Sequence, residues 1–310
     1  MAPLGALILM CVIFTLIDPR FATVQNFQTI ASGAAVPMIL AVGMTFVILQ
    51  GSIDLSVEGV MGAASLVFAL LVLNTRTGMD LGLLGAVLAV GLGALIGTAS
   101  GVVVTKLRVP SFMVTLGAWS FSAGVATLLS AGDPPLVRDE TLRSFGLGQT
   151  LGIPNLALLA IVVAAAGMLL QNYTRFGRYS YMIGGAEDVV RLSGIRVDRY
   201  KLLAFVLSGA LAGLAGVAET ARIGVGSAEI GPGQMFATIT AVVIGGTALA
   251  GGRGGVLQSA IGVLILTVLA NGMIYIGVTP YLQQAVQGGI VLVAVVATTW
   301  HLRHRMRVVK

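Results

Sequence analysis

The sequence is poor in the residues that most enzymes and secreted proteins rely on. It holds one cysteine, two histidines and two tryptophans in 310 residues, and only 10% of its side chains are charged. A single cysteine, Cys11, can form neither an intrachain disulfide nor a cysteine-based metal site, which excludes a disulfide scaffold. It stands in the apolar run Met10-Cys11-Val12 and reads as core- or lipid-facing filler. An average soluble domain carries about 25% charge. With 57% hydrophobic residues and a mean hydropathy of +0.99, the chain cannot coat its apolar surface with the polar residues it has. A soluble enzyme is therefore excluded, and so is a disordered chain, which needs low hydrophobicity.

Lysine is confined to Lys106, Lys201 and Lys310, none of them after a glycine, so the Gly-Lys pair of a phosphate-cradling loop is missing. His301 and His304 lie in a basic tail. No zinc-binding HExxH or nucleophile-elbow pattern stands out, and no catalytic, cofactor-binding or metal-ligating residue is expected in this chain.

What the chain does have is long uncharged runs. Phe21–Ile53, Leu81–Thr105, Val109–Gly132, Ser144–Thr174, Leu202–Ala218 and Ile230–Gly252 carry no charge, and Gly254–Trp300 extends for 47 residues without one. A spanning helix needs about 20 apolar residues. The last run therefore holds two, divided at Gly277-Val278-Thr279-Pro280, where proline stops a helix and glycine permits the turn. These runs predict helices near 29–50, 57–73, 81–104, 111–130, 154–171, 202–220, 235–250, 256–277 and 281–300. Pro3 to Ile17 adds a short one, about 22 Å at 1.5 Å per residue. No basic residue precedes it, so it reads as a retained helix and not a cleaved signal. The expectation is an all-α, polytopic membrane protein of about ten transmembrane helices, with nine as the alternative, forming one transmembrane domain over residues 1–310.

Twelve of the 18 basic residues fall in three places. Lys106 and Arg108 flank one turn; Arg175, Arg178, Arg191, Arg196, Arg199 and Lys201 lie in the 172–201 loop; Arg303, Arg305, Arg307 and Lys310 form the tail 301–310. The positive-inside rule puts these on the cytoplasmic side. Both termini are then cytoplasmic, and 18–28, 74–80, 131–153 and 221–234 face out. This topology, with anionic membrane lipid as neighbour, accounts for the net charge of +6 without a nucleic-acid partner.

Glycine is abundant, at 42 residues, with small-residue spacings such as Gly91-x-Gly93-x3-Gly97-x3-Gly101 and Gly209-x3-Gly213-x2-Gly216. Small residues let membrane helices approach closely. Ionisable residues are nearly missing from the predicted spans, although a charge at the bilayer centre is what ion-coupled carriers retain at a cost of about 2.5–3.5 kcal/mol. The scarcity argues for transport driven from outside the chain. One segment suits a drive shaft. Ala186-Glu-Asp-Val-Val-Arg-Leu-Ser193 lies between Gly184-Gly185 and Gly194, long enough for about two helical turns. Glu187 and Asp188 at its start and Arg191 near its end complement the helix dipole; Gly194 can terminate it. Val189 and Leu192 would form a small apolar face. It reads either as a helix that docks into another protein or as a solvated loop.

Three stretches resemble the membrane permease subunit of bacterial ABC importers of the ribose/xylose/galactose type, a branch related to branched-chain amino acid permeases. They are Ala41-Val-Gly-Met-Thr-Phe-Val-Ile-Leu-Gln-Gly-Ser-Ile-Asp-Leu-Ser-Val57, Gly177-Arg178 through Gly184-Gly185-Ala-Glu-Asp-Val-Val-Arg-Leu-Ser-Gly-Ile195, and Gly245-Gly-Thr-Ala-Leu-Ala-Gly-Gly-Arg-Gly254, followed by Asn271-Gly272. The resemblance covers roughly residues 20–300. It implies a translocation pathway for a sugar or sugar-like solute, formed with a second permease subunit in a homo- or heterodimer. It also implies cytoplasmic ABC ATPase subunits that hold the ATP and Mg, a periplasmic or lipid-tethered solute-binding protein, and a place in the bacterial cytoplasmic membrane. Gly185, Glu187, Asp188, Val189, Arg191, Leu192 and Gly194 would then belong to an ATPase-coupling helix. The chain departs from the family pattern at Ser52, Glu58, Ala186, Gln258 and Ala270, which weakens any choice of sugar. The rivals are the same machinery carrying a branched-chain amino acid, nucleoside or autoinducer-like solute, and an ion-coupled secondary carrier.

Asp54, Ser56, Arg253, Asn271 and Gln283 are candidates for the pathway or for helix junctions. Asp54 either holds its loop by accepting from backbone amides and Ser56 or contacts solute. Arg253 bonds helix-terminal carbonyls or touches the ATPase. Asn271 bridges helices or lines the pathway, since an amide in lipid needs a partner. Gln283, with Gln284, is open to both readings. Trp300 reads as an interfacial anchor.

Overall fold

The computed structural model describes residues 2–279 except 232, together with 282, 283, 285, 286, 288 and 289. Its eleven helices run in chain order as α1 (Ala2–Ile17), α2 (Val24–Leu49), α3 (Val57–Leu71), α4 (Leu83–Lys106), α5 (Ser111–Ser130), α6 (Glu140–Leu147), α7 (Asn155–Tyr173), α8 (Arg175–Leu192), α9 (Val197–Ile223), α10 (Gln234–Gly245) and α11 (Val256–Tyr275). A two-stranded antiparallel ribbon pairs Gln149–Thr150 with Ile153–Pro154. Local chemistry sets several of the ends. Thr23 caps α2 by accepting from the Asn26 amide at 3.3 Å. Asp139 accepts from the amides of Thr141 and Leu142 to cap α6, and Gly224 at φ +77° ends α9.

The all-α, polytopic architecture stands, but the expected ten spans do not. Among the described residues six helices are long and apolar enough to cross a membrane: α2, α4, α5, α7, α9 and α11. Pro3–Ile17, α3 and α10 are apolar but short, and the predicted 281–300 span and the tail 301–310 lie outside the described residues. Counting uncharged runs fails because uncharged chain need not be helical. Residues 246–250, expected in a helix, form none, so that α10 has only 12 residues and α3 only 15, and the joins 51–56 and 224–231 form no α-helix either. Their backbone groups find partners on neighbouring helices. The Ile53 amide donates to Ser111 Oγ at 3.0 Å, the Leu55 amide to Thr115 Oγ1 at 3.0 Å, and the Ser227 amide to Ser65 Oγ at 3.1 Å. Satisfied in this way, non-helical backbone is tolerated at membrane depth.

α2 is the axis of the bundle. From Ala34 to Leu49 it is almost wholly buried, and it shares the largest apolar cluster with α3, α7, α9, α10 and α11. α4 and α9 meet backbone to backbone through the glycine spacings noted above. A Cβ at Gly93 would strike the Gly209 carbonyl, and one at Gly97 the Phe205 carbonyl. Gly91, by contrast, faces open space. The bundle has two ends: one carries Lys106, Arg108 and the junction of α8 with α9, and is basic; the other carries residues 74–80 and 131–153.

Candidate functional site

At the basic end the three recognisable stretches, separated by 119 and 49 residues of sequence, close into one junction. The carbonyl of Leu49, the last residue of α2, accepts from the Gly252 amide at 2.9 Å. Gly184 of α8 lies against both, so that a Cβ there would meet the Leu49 oxygen and the Gly252 nitrogen. Gln50 Nε2 donates to Ser180 Oγ at 2.9 Å and to the Tyr200 carbonyl at 3.3 Å, tying the end of α2 to α8 and α9. Tyr181 donates its hydroxyl to the Gly254 carbonyl at 2.7 Å, and burial pushes that phenol above its ordinary pKa.

A buried hydroxyl line extends the junction into the core. Thr45 donates to the Ala41 carbonyl at 2.6 Å and lies 2.7 Å from Ser259 Oγ; Thr247 is 3.3 Å from the same serine and accepts from the Gly255 amide at 3.1 Å. Gln171 of α7 accepts from the Val256 amide at 2.7 Å, capping α11 from outside. One small assembly thus fixes the ends of α2, α7, α8, α10 and α11. Gln50, Gln171, Ser180 and Tyr181 were not singled out from sequence. As isolated polar residues at the ends of apolar runs, they carry no spacing that would reveal them.

The coupling-helix candidate projects from this junction. Ala186 takes a non-helical conformation (φ −162°, ψ 76°) that kinks α8 and sets Glu187–Leu192 off as its own short helix. Gly194, at φ +79°, follows its end, and the Gly194 amide donates to the Arg191 carbonyl at 3.1 Å. Inward, Val190 packs in a cluster with Ile183 and Val197. Outward, Val189 and Leu192 are 61% and 88% exposed, and Gly185 and Asp188 are exposed as well. Ion pairs tether the helix to the start of α9: Arg191 to Glu187 at 3.1 Å, Arg191 to Asp198 at 3.0 Å, and Lys201 to Glu187 at 2.6 Å. Burial raises the Glu187 pKa, but hydrogen bonds and charge from Lys201 and Arg191 outweigh it, so the carboxyl titrates below its ordinary value. Asp198 and then Glu187 hold the Arg191 pKa up.

The other candidates scatter. Asp54 is 1% exposed and accepts from the Ser56 amide at 2.9 Å, from Ser56 Oγ at 2.6 Å and from Ser208 Oγ at 2.6 Å. It thereby closes the 51–56 segment on itself and on α9. Arg253 is exposed at the junction, and among the described residues its guanidinium bonds no helix-terminal carbonyl. Asn271 Nδ2 donates to Asn26 Oδ1 at 3.0 Å, linking α11 to the start of α2. Gln283 Nε2 reaches only the nearby Val278 carbonyl, at 2.9 Å. Asp54, Asn271 and Gln283 are therefore not brought together with Arg253 or with the coupling helix. Gln284 and Trp300 lie outside the described residues. Among the described residues no group of three or more His, Cys, Asp or Glu side chains is placed to hold a metal ion.

A polytopic helical bundle whose glycine junction presents a short amphipathic helix is a transporter's membrane subunit in form, and the sequence comparisons say which. Residues 26–295 match the family described as branched-chain amino acid transport system / permease component, and the chain belongs to that family. It is 38% identical over 295 residues to the ribose import permease protein RbsC of Escherichia coli, covering 94% of this chain and 90% of that one. It is 38% identical over 286 residues to the probable ABC transporter permease protein YphD of the same organism, covering 92% and 85%. Against the L-arabinose transport system permease protein AraH, also of Escherichia coli, identity is 33% over 292 residues, covering 94% and 87%. No solved structure matches the chain.

Proposed function

We infer that this chain is the permease subunit of an ABC importer that carries a sugar. The observation that carries the assignment is the kinked end of α8. A short helix with two exposed apolar side chains, Val189 and Leu192, is anchored by ion pairs to α9 and by glycine contacts to the end of α2 and the 246–255 loop. A push on that helix is felt at once by several spans, and packed helices answer by rigid-body movement between discrete arrangements, not by bending. The push comes from a cytoplasmic ABC ATPase that binds ATP and Mg and receives the helix in a groove, with Val189 and Leu192 as its apolar anchors. The basic end faces the cytoplasm of a bacterial cell, a second permease subunit completes the pathway, and a binding protein outside delivers the solute. The sugar assignment is supported by the ribose and L-arabinose permeases among the relatives.

The test is purification of the tagged chain from its native membranes in mild detergent. An ATPase recovered in near-equal amount, and lost from a Val189→Ser, Leu192→Ser double variant of normal abundance, is the expected result. A chain that comes out alone and still moves solute in ATP-free vesicles would overturn the assignment.

A further inference from the structure

Two short helices of the bundle, α3 and α10, begin at the same level, part way along its length. α3 runs beside α5, with Ile53 level with Ser111, Leu55 with Thr115, and Gly59 against the Trp119 carbonyl. Trp119 is eight residues into α5, about 12 Å from its basic end at 1.5 Å per residue. The opposite strand of chain comes down to meet it. Leaving the far end of α9, residues 224–233 descend along α3. Gly226 packs by Ala69, the Ala228 carbonyl by Gly62, and Gly231 by Met61. The Met235 amide, in the first turn of α10, then donates to Glu58 Oε2 at 3.2 Å. The N-termini of two half-length helices thus converge on one carboxylate, and both dipoles favour its charge. Among the described residues no cation pairs with it.

The first two turns of α10, whose Met235 amide meets that carboxylate, carry polar groups that have no partner among the described residues. Thr238 is wholly buried, and among the described residues its hydroxyl has no partner, nor does the Gln234 side-chain oxygen, one turn earlier on the same helix. Thr238 departs from the habit of this protein. Thr45, Thr98, Thr105, Thr220, Thr240 and Thr267 each donate to the carbonyl four residues back, whereas Thr238 does not. On the helix, position 238 falls between Ala241, whose carbonyl meets Gly262 of α11, and Met235, whose amide meets Glu58. An unpartnered buried hydroxyl is destabilising by roughly 1–3 kcal/mol, and a carboxylate at membrane depth is costlier still. The Met235 amide and the two helix N-termini offset part of the cost at Glu58, but among the described residues nothing offsets it at Thr238.

We propose that Glu58, Gln234 and Thr238 form a contact site for a neutral, hydroxyl-rich solute in the translocation pathway, a proposal that rests on the sugar-importer assignment above. A carboxylate and an amide oxygen accept hydrogen bonds from solute hydroxyls, and the threonine hydroxyl can give or take one. A site with a lone carboxylate and no cation favours a neutral polyol and repels an anionic solute. Descent of the solute to the midplane along 224–233 needs no residue of Asp54's cluster.

The test uses the whole transporter, permease with ATPase and binding protein, in proteoliposomes with labelled D-ribose as probe. Thr238→Val and Glu58→Gln each lower the initial uptake rate at saturating loaded binding protein about fivefold, the effect of one hydrogen bond along the path, while Thr238→Ser retains it. Thermal stability of the Thr238→Val complex is unchanged or raised, because the variant removes a hydroxyl without a partner. In a Cys11→Ser background, Thr238→Cys reacts with a small thiol reagent only while ATP and loaded binding protein turn the transporter over. Wild-type uptake by Thr238→Val, uptake and stability falling together, or a cysteine at 238 inert in every state would each overturn the site. An unmutated transporter that carries a branched-chain amino acid and no pentose would overturn the sugar assignment instead, and is told apart because no variant is involved.

Discussion

Gly184 and Gly185 are neighbours in α8, but a methyl group added to each meets different surroundings, and the pair isolates the junction's contribution. At Gly184 the new Cβ lands on the Leu49 carbonyl oxygen and the Gly252 amide nitrogen, with the Gly251 carbonyl carbon at 3.0 Å. All three are backbone atoms and cannot rotate away. Relief requires α8 to part from the ends of α2 and of the 246–255 loop, stretching the 2.9 Å bond between Gly252 and Leu49. Overpacking of this kind is destabilising by about 1–3 kcal/mol, and the loosened buried bond adds about 1–3 kcal/mol. Alanine's better helix propensity returns about 1 kcal/mol. The net is about 1–5 kcal/mol, and every 1.4 kcal/mol is about tenfold in equilibrium. At Gly185 nothing lies within 4 Å, so only the favourable propensity change remains. Membrane abundance by immunoblot and uptake of labelled solute should separate the two. Gly184→Ala should fall at least about fivefold in uptake, with reduced abundance, while Gly185→Ala keeps wild-type abundance. Equal abundance and uptake for both would refute the claim that these three stretches form one rigid contact.

Other consequences can be checked in the same membranes. Glu187→Ala and Arg191→Ala should leave abundance intact but lower both ATPase recovery and uptake, by about two- to fivefold because exposed ion pairs are individually weak; normal uptake in both variants would refute a coupling role. The Glu187 pKa is depressed, so its pairs hold above the ordinary carboxylate range and are lost only as pH falls through the lower folded value. ATPase recovery should therefore be flat from pH 7 down to about pH 5 and fall below the usual glutamate pKa near 4.3, whereas Glu187→Gln should show a lower, pH-independent level. Asp54→Asn keeps shape but weakens charge-assisted bonds to Ser56 and Ser208; assembled protein should drop more than solute preference changes, and altered preference at full abundance would count against it.

What the sequence reveals and what it hides follow from the range of the forces involved. Helix formation in lipid is local, because every amide must be satisfied within a few residues, so the long apolar runs α2, α4, α5, α7, α9 and α11 are legible from composition. The kink at Ala186 and the stop at Gly194 are likewise written in neighbouring residues. The distant bonds that hold the joins 51–56 and 224–231 are not. Amides of these joins are satisfied by Ser111, Thr115 and Ser65, on helices up to 162 residues away in sequence, and no window of hydropathy can register that. Glu58 shows the same limit from the other side. Alone in an apolar run it looks like a departure from a family pattern. It gains meaning only when α10 brings the Met235 amide to it, and Thr238 becomes notable only beside threonines that bond their own helix. A residue that looks exceptional in sequence, and whose bonds are incomplete when folded, is therefore a better guide to the pathway here than Asp54, whose oxygens are already occupied by serine.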